Sequence, residues 1–308
     1  MISNLYNNLD VAIIAAIISA IVSVLIAVFG RIIDWLREKN MLNYKLNREY
    51  SFKQMMGIKE KLSGSKTPLI KAAEDLNHRL WNFAGNIDKE WHICNRNDWA
   101  NPNGCYYIKS FTYRFLVFFY WLDKAENDIY CFDFSQASKS EKDYLKFIKT
   151  LKFFFCDGKL LRSLNYDVSA QRSHFFVDNI KEYISYIKSD TGVIGFEEFK
   201  PKMEKEPELI LPMIHYITDI RKDGDNCNYN VIICFHLFLM LFLNKYGLDY
   251  QYTDRNKFRN LIKQNYNDIR IKKDLYEFLK RNKIQKQAKW IIKDLELNES
   301  WLKQLKLH

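Results

Sequence analysis

The sequence predicts a mainly α protein, with a single N-terminal transmembrane helix followed by a helical cytoplasmic domain. Three observations carry that prediction. Only 10 Gly and 5 Pro interrupt 308 residues, too few turn-formers for a sheet-rich fold. One uninterrupted apolar run lies near the N-terminus. Downstream, apolar residues recur at helical spacing between charged ones.

The apolar run is Val11 to Gly30, "VAIIAAIISAIVSVLIAVFG", with no charge and only Ser19 and Ser23 as polar side chains. As a helix it spans about 30 Å, the thickness of a bilayer's hydrocarbon core. Asp10 and Arg31 bracket it. The preceding "MISNLYNNLD" lacks the positive charge of an export signal, and the run ends in "RIIDWLREKN" with no small-residue cleavage site. An uncleaved anchor is the expectation. Residues 31–62 hold eight Lys and Arg against four Asp and Glu, while residues 1–10 have no basic side chain. The positive-inside rule then places the chain in a cell inner membrane as a single-pass protein, N-terminus outside and C-terminal domain cytoplasmic. Six cysteines, mostly beside aromatic or aliphatic residues, are read as free, buried thiols in a reducing compartment, which agrees.

Ala12, Ala16, Ser19, Ser23 and Gly30 form a stripe of small side chains along the anchor. Such stripes let membrane helices approach closely, so association through this face is expected, with a second copy of the chain or with another protein.

Organisation follows from the breakers. Residues 1–10 are a short external N-terminus, 11–30 the span, and 31–62 a juxtamembrane helical stalk. "SGSKTP" at 63–68 reads as a turn, with Thr67 and Pro68 capping a helix over 68–84 whose buried face is Leu69, Ala72, Ala73, Leu76, Leu80 and Phe83. A helical core domain covers 68–254, and a basic helical region packed on it covers 255–308. Within the core, 85–107 reads as irregular. "FLVFFYWL" is too short to span and reads as a buried helix. Ser138 with Glu141, and Ser140 with Asp143, are capping-box candidates. The breaker-rich 190–208 reads as a lid, hinge or subdomain boundary, "DGDNCN" as a turn, and 231–243 as a buried central helix with a second membrane element as the alternative.

Candidate chemistry is sparse. His92, Cys94 and Cys105 are metal-ligand types, with His78 upstream, but they lack paired C-x-x-C spacing. Glu74 and Asp75 can share a helix face with His78, as in diiron bundles, yet no second such motif exists. Arg172, His174 and Asp178 cluster at one helix start, and His215 lies four residues before Asp219; both are catalytic candidates because a carboxylate can orient an imidazole. His236, inside an apolar run, reads as a hydrogen-bonded core histidine. Phosphate loops, dinucleotide fingerprints, H-E-x-x-H, G-x-S-x-G and kinase motifs are all absent from the sequence. No cofactor is implied.

Charge is more telling. The formal net charge is +10, and residues 255–308 carry fifteen Lys and Arg against six Asp and Glu. Lys272, Lys273, Lys280, Arg281, Lys283 and Lys286 are the expected basic surface. It reads first as a solvated face without a partner, then as a contact with the anionic bilayer face or an acidic protein, with nucleic acid less favoured. The layout resembles single-pass helical components of bacterial defence and stress systems, including antiviral ones, although no motif is shared. The function expected is therefore a membrane-anchored helical interaction or effector protein. A membrane-tethered enzyme acting on nucleic acid or nucleotide is the first alternative, and an oligomeric pore-forming effector is the second.

Overall fold

A computed structural model of the chain describes residues 2–95, 98, 104–130, 137–170, 172–222, 227–265 and 271–296. The fold is mainly α. Its helices are α1 (Ile2–Asn86), α2 (Tyr106–Tyr130), α3 (Lys139–Phe153), α4 (Val177–Ser185), α5 (Phe196–Lys205), α6 (Leu211–Thr218), α7 (Cys227–Tyr246), α8 (Arg255–Asn265), α9 (Lys272–Arg281) and α10 (Lys289–Asp294). Among the described residues the sheet content is one antiparallel pair, β1 (Lys188–Ser189) and β2 (Gly192–Val193), paired Lys188 to Val193 and Ser189 to Gly192. The chain divides into two compact units, Met1–Gly57 and Ile58–His308.

The first unit is helical, and its described side chains from Val11 to Tyr50 are almost all exposed. Its polar half is stabilised locally, by Lys53 on Glu49 at 2.7 Å and by Lys39 over the Trp35 ring at 5.2 Å.

The second unit is a packed helical domain. The last turns of α1 contribute Ile58, Leu62, Leu69, Ala72, Ala73, Leu76, Leu80 and Phe83, all buried. No turn interrupts 63–68: α1 runs through Gly64 and Pro68. Pro68 removes one backbone hydrogen bond. Helical burial nevertheless continues across the segment through Leu62, Ser65 and Leu69, so packing outweighs the local turn preference. The face anticipated from Leu69 to Phe83 is the face that is buried.

α2 packs on α3, α4, α5 and α6, and α7 on α3. Rings fill the space between them: Phe155 lies 5.4 Å from Phe115 and 4.8 Å from Phe235, and Phe154 lies 4.7 Å from Phe278. Each such ring adds about 1.5–3 kcal/mol of transfer free energy. Two buried ammonium groups tie helices together. Lys109 of α2 meets Glu204 of α5 at 2.6 Å, and Lys152 of α3 meets Asp123 and Glu126 of α2 at 3.0 and 3.1 Å. α3 starts with the anticipated capping box: Ser138 N–H donates to Glu141 Oε2 at 2.7 Å, and Glu141 N–H to Ser138 Oγ at 3.3 Å.

Residues 190–208, read as a lid, hinge or subdomain boundary, hold the turn and second strand of the β1–β2 hairpin and then α5, which includes Pro201. Phe199 and Met203 bury one face of α5, and Lys202 Nζ donates to the Tyr186 carbonyl at 2.7 Å. The six cysteines are not all free thiols, because Cys94 and Cys105 form a disulfide with their Cα atoms 6.3 Å apart. The turn expected at "DGDNCN" falls mostly outside the described residues.

Candidate functional site

The metal-ligand loop is resolved by the same bond. Disulfide sulfur has no thiolate to offer, which removes Cys94 and Cys105 as zinc ligands. His92 is buried, with Nε2 2.7 Å from the Ile220 carbonyl oxygen. Burial lowers its pKa, which keeps the ring neutral. Among the described residues no cluster of three metal-ligating side chains exists.

The side chains of the first histidine cluster point different ways. His174 points inward, where its Nδ1 lies 2.9 Å from the Tyr166 hydroxyl. That hydroxyl also accepts from Ser173 N–H at 2.9 Å. Burial lowers the His174 pKa, and its Nε2 is buried without a hydrogen-bond partner among the described residues. Asp178 instead faces solvent beside Lys181 at 3.4 Å, and Arg172 is exposed. His215 and Asp219 are joined through backbone, Asp219 N–H donating to the His215 carbonyl at 2.9 Å at the end of α6. Both of their side chains are exposed. Neither cluster lines the recess described below.

His236 does what a core histidine should. It lies on α7, fully buried, with Nε2 3.1 Å from Asn77 Oδ1 and its ring edge-on to Trp81 at 5.1 Å. Burial pushes its pKa down to about 3.

The basic surface is built by turning acids inward. Asp274 is buried and accepts from Ser163 N–H at 2.6 Å, fastening α9 to the 3-10 segment Gly158–Leu164. Lys273, Lys280, Arg281, Lys283 and Lys286 are exposed and Lys272 is half-buried. Arg281 pairs with Asp157 at 2.6 Å, while the five lysines have no ion pair among the described residues. The surface therefore keeps most of its charge unpaired among the described residues.

The small-residue stripe lies on a helix whose described side chains are almost all exposed. Ala16, Ser19 and Ser23 are exposed, and a Cβ placed at Gly30 would meet nothing within 4 Å. Ser23 Oγ donates back to the Ser19 carbonyl at 2.8 Å, so its hydroxyl is satisfied within the helix. The side chain of Ala12 lies outside the described residues.

A recess of about 490 Å³ lies beside Glu74 and His78, which their spacing sets together on one helix face. Its walls include Glu74, Asn77 and Trp81 of α1, Tyr250 and Tyr252 after α7, and Lys257 of α8. One signal was present in the sequence: Glu74, Asn77, His78 and Trp81 recur at helical spacing beside the apolar face. The opposite wall is far along the chain, so spacing alone does not reveal it.

No protein-family model, no curated protein and no solved structure matches this chain.

Proposed function

We propose that this is a bilayer-anchored helical protein that acts by membrane-localised interaction and assembly. One observation carries the reading. An 18-residue window of α1 has mean hydropathy 2.9, and none of it is buried against the rest of the chain. Ile, Val, Leu and Phe side chains from Val11 to Phe29 stand about half exposed or more. Such a continuous apolar surface exceeds what a monomer leaves in water, and a bilayer is the simplest solvent for it.

The test is flotation of the full chain with liposomes, beside variants Val22→Arg and Leu25→Arg. Wild type should float, and each charged variant should float several-fold less, since a mid-span Arg costs about 2.5–3.5 kcal/mol. Equal flotation would contradict the anchor.

Flank charge supports a single span with the larger unit in the cytoplasm. The cysteine argument for that side no longer holds, because Cys94 and Cys105 are bonded to each other. Thiol trapping in intact cells separates the two sides. A cytoplasmic domain should show Cys94 and Cys105 alkylatable at once, and full protection until reductant is added would place it on the oxidising side. The basic surface of α9 supports contact with an anionic bilayer or acidic protein. The burial of α7 supports its role as a core helix rather than a second inserted element.

A further inference from the structure

The recess near Trp81 is framed by side-chain hydrogen bonds. Its outer wall, residues 247–253, is fastened from within. Leu248 N–H donates to Gln251 Oε1 at 2.7 Å, and Gln251 Nε2 donates to Glu74 Oε2 at 2.8 Å. Asn244 holds Thr253 twice, accepting from its N–H at 2.7 Å and donating to its carbonyl at 2.9 Å. Gly247 is required there, because a Cβ would come within 2.6 Å of both Gln251 Oε1 and the Leu243 carbonyl oxygen. This frame displays Tyr250 and Tyr252 at 73% and 53% exposure. Neither ring packs on another aromatic among the described residues. The same frame leaves two flat tyrosine surfaces facing water, where a ligand can stack.

The inner wall supplies directional groups. Asn77 is buried to 7% exposure, yet it lines the recess. His236 Nδ1 is buried without a partner, so its proton belongs on Nε2, where Asn77 Oδ1 accepts it. The Asn77 –NH2 is thereby turned away from His236, and it has no acceptor among the described residues. One turn earlier, Glu74 has Oε2 on Gln251 and Oε1 3.7 Å from His78 Nε2, and its carboxylate keeps further lone pairs. A donor and an acceptor one helical turn apart, with the indole of Trp81 on the same lining, suit the edge of a nucleobase, which offers both. At the rim, Lys257 sits in the first turn of α8, exposed and without an ion pair among the described residues. It can meet a phosphate. The volume lies in the range of small-molecule sites.

We propose that this recess binds a nucleotide, its base between Trp81 and Tyr250 and held at the edge by Asn77 and Glu74, its phosphate on Lys257. The proposal is independent of the membrane reading, since all its residues belong to the second unit.

Equilibrium dialysis of the full chain in mild detergent, with adenosine 5′-monophosphate as probe, tests it. Saturable binding at one site per chain is expected. Tyr250→Ala should weaken it about tenfold or more, as loss of a base–aromatic stack does. Lys257→Ala should weaken binding of the monophosphate and leave adenosine unchanged. Both side chains are exposed, so an unchanged melting temperature shows that each variant is folded. Absence of saturable binding up to about 1 mM probe would overturn the proposal. So would equal affinity in both variants, or displacement of the probe by choline at lower concentration than by adenosine, which would make the recess an organic-cation site.

Discussion

Among the described residues two helices are long and apolar enough to cross a membrane, and they differ in everything else. The N-terminal window has mean hydropathy 2.9 and no buried residue; in α7 the corresponding values are 1.6 and 89%. What separates them is polar chemistry placed for a protein interior. α7 carries Asn228, which donates to the Tyr216 carbonyl at 3.0 Å, and His236, which meets Asn77. Such groups would be costly facing lipid, and here they find partners. Between Val11 and Gly30 the only polar side chains are two serines, and Ser23 bonds to its own helix. Total hydrophobicity therefore says little about destination. The polar exceptions, and whether anything in the chain can satisfy them, say more.

The comparison is broken most forcefully by cutting into each helix in turn. Phe235→Ala should destabilise the second unit by about 3–5 kcal/mol, through lost transfer free energy and a cavity among Phe115, Phe154 and Phe155. Phe29→Ala should leave the same thermal transition within about 0.5 kcal/mol. Equal losses would mean that the N-terminal helix is part of the core after all.

A pH titration sharpens the contrast inside α7. His236 has a folded pKa near 3, below its unfolded value. The unfolded chain therefore takes up a proton that the native ring refuses. Its contribution to stability is complete above about pH 6.5 and shrinks as pH falls, by about 2 kcal/mol at pH 5. Chemical denaturation from pH 7 to 5 should show this slope. His236→Gln, able to keep a bond to Asn77, should reduce the slope by one proton, the remainder coming from His92 and His174, whose pKa values are also lowered by burial.

Ser138→Ala tests a smaller contribution. It removes one half of the α3 capping box and should cost about 1 kcal/mol in the same denaturation experiment. The smallest effect belongs to the small-residue stripe. Replacing Ala16, Ser19 and Ser23 by leucine should weaken helix association in lipid by about 1 kcal/mol while flotation is unchanged. Unchanged association would make the helix a plain tether.

The legible parts of the fold were those set by local chemistry. The Leu69–Phe83 face, the Ser138–Glu141 cap and the core role of α7 each follow from residues within a few turns of one another. The misread parts were decided at long range. Pro68 lies inside a helix because flanking residues pack on the core, and Cys94 finds Cys105 because the chain returns at the start of α2. The recess was illegible for the same reason: Glu74 and Gln251, which join its walls, are 177 residues apart. The histidine candidates rested on local spacing. Spacing placed His174 near Asp178, but His174 turns inward to Tyr166 and Asp178 turns out to solvent.

Photolabelling from the acyl-chain region of a bilayer, with a carbene reagent and peptide mapping of the full chain, tests the central contrast most directly. Label is expected on residues 11–30 and not on residues 227–246. Comparable label on both helices, or none on residues 11–30, would contradict the assignment of one helix to lipid and the other to the core.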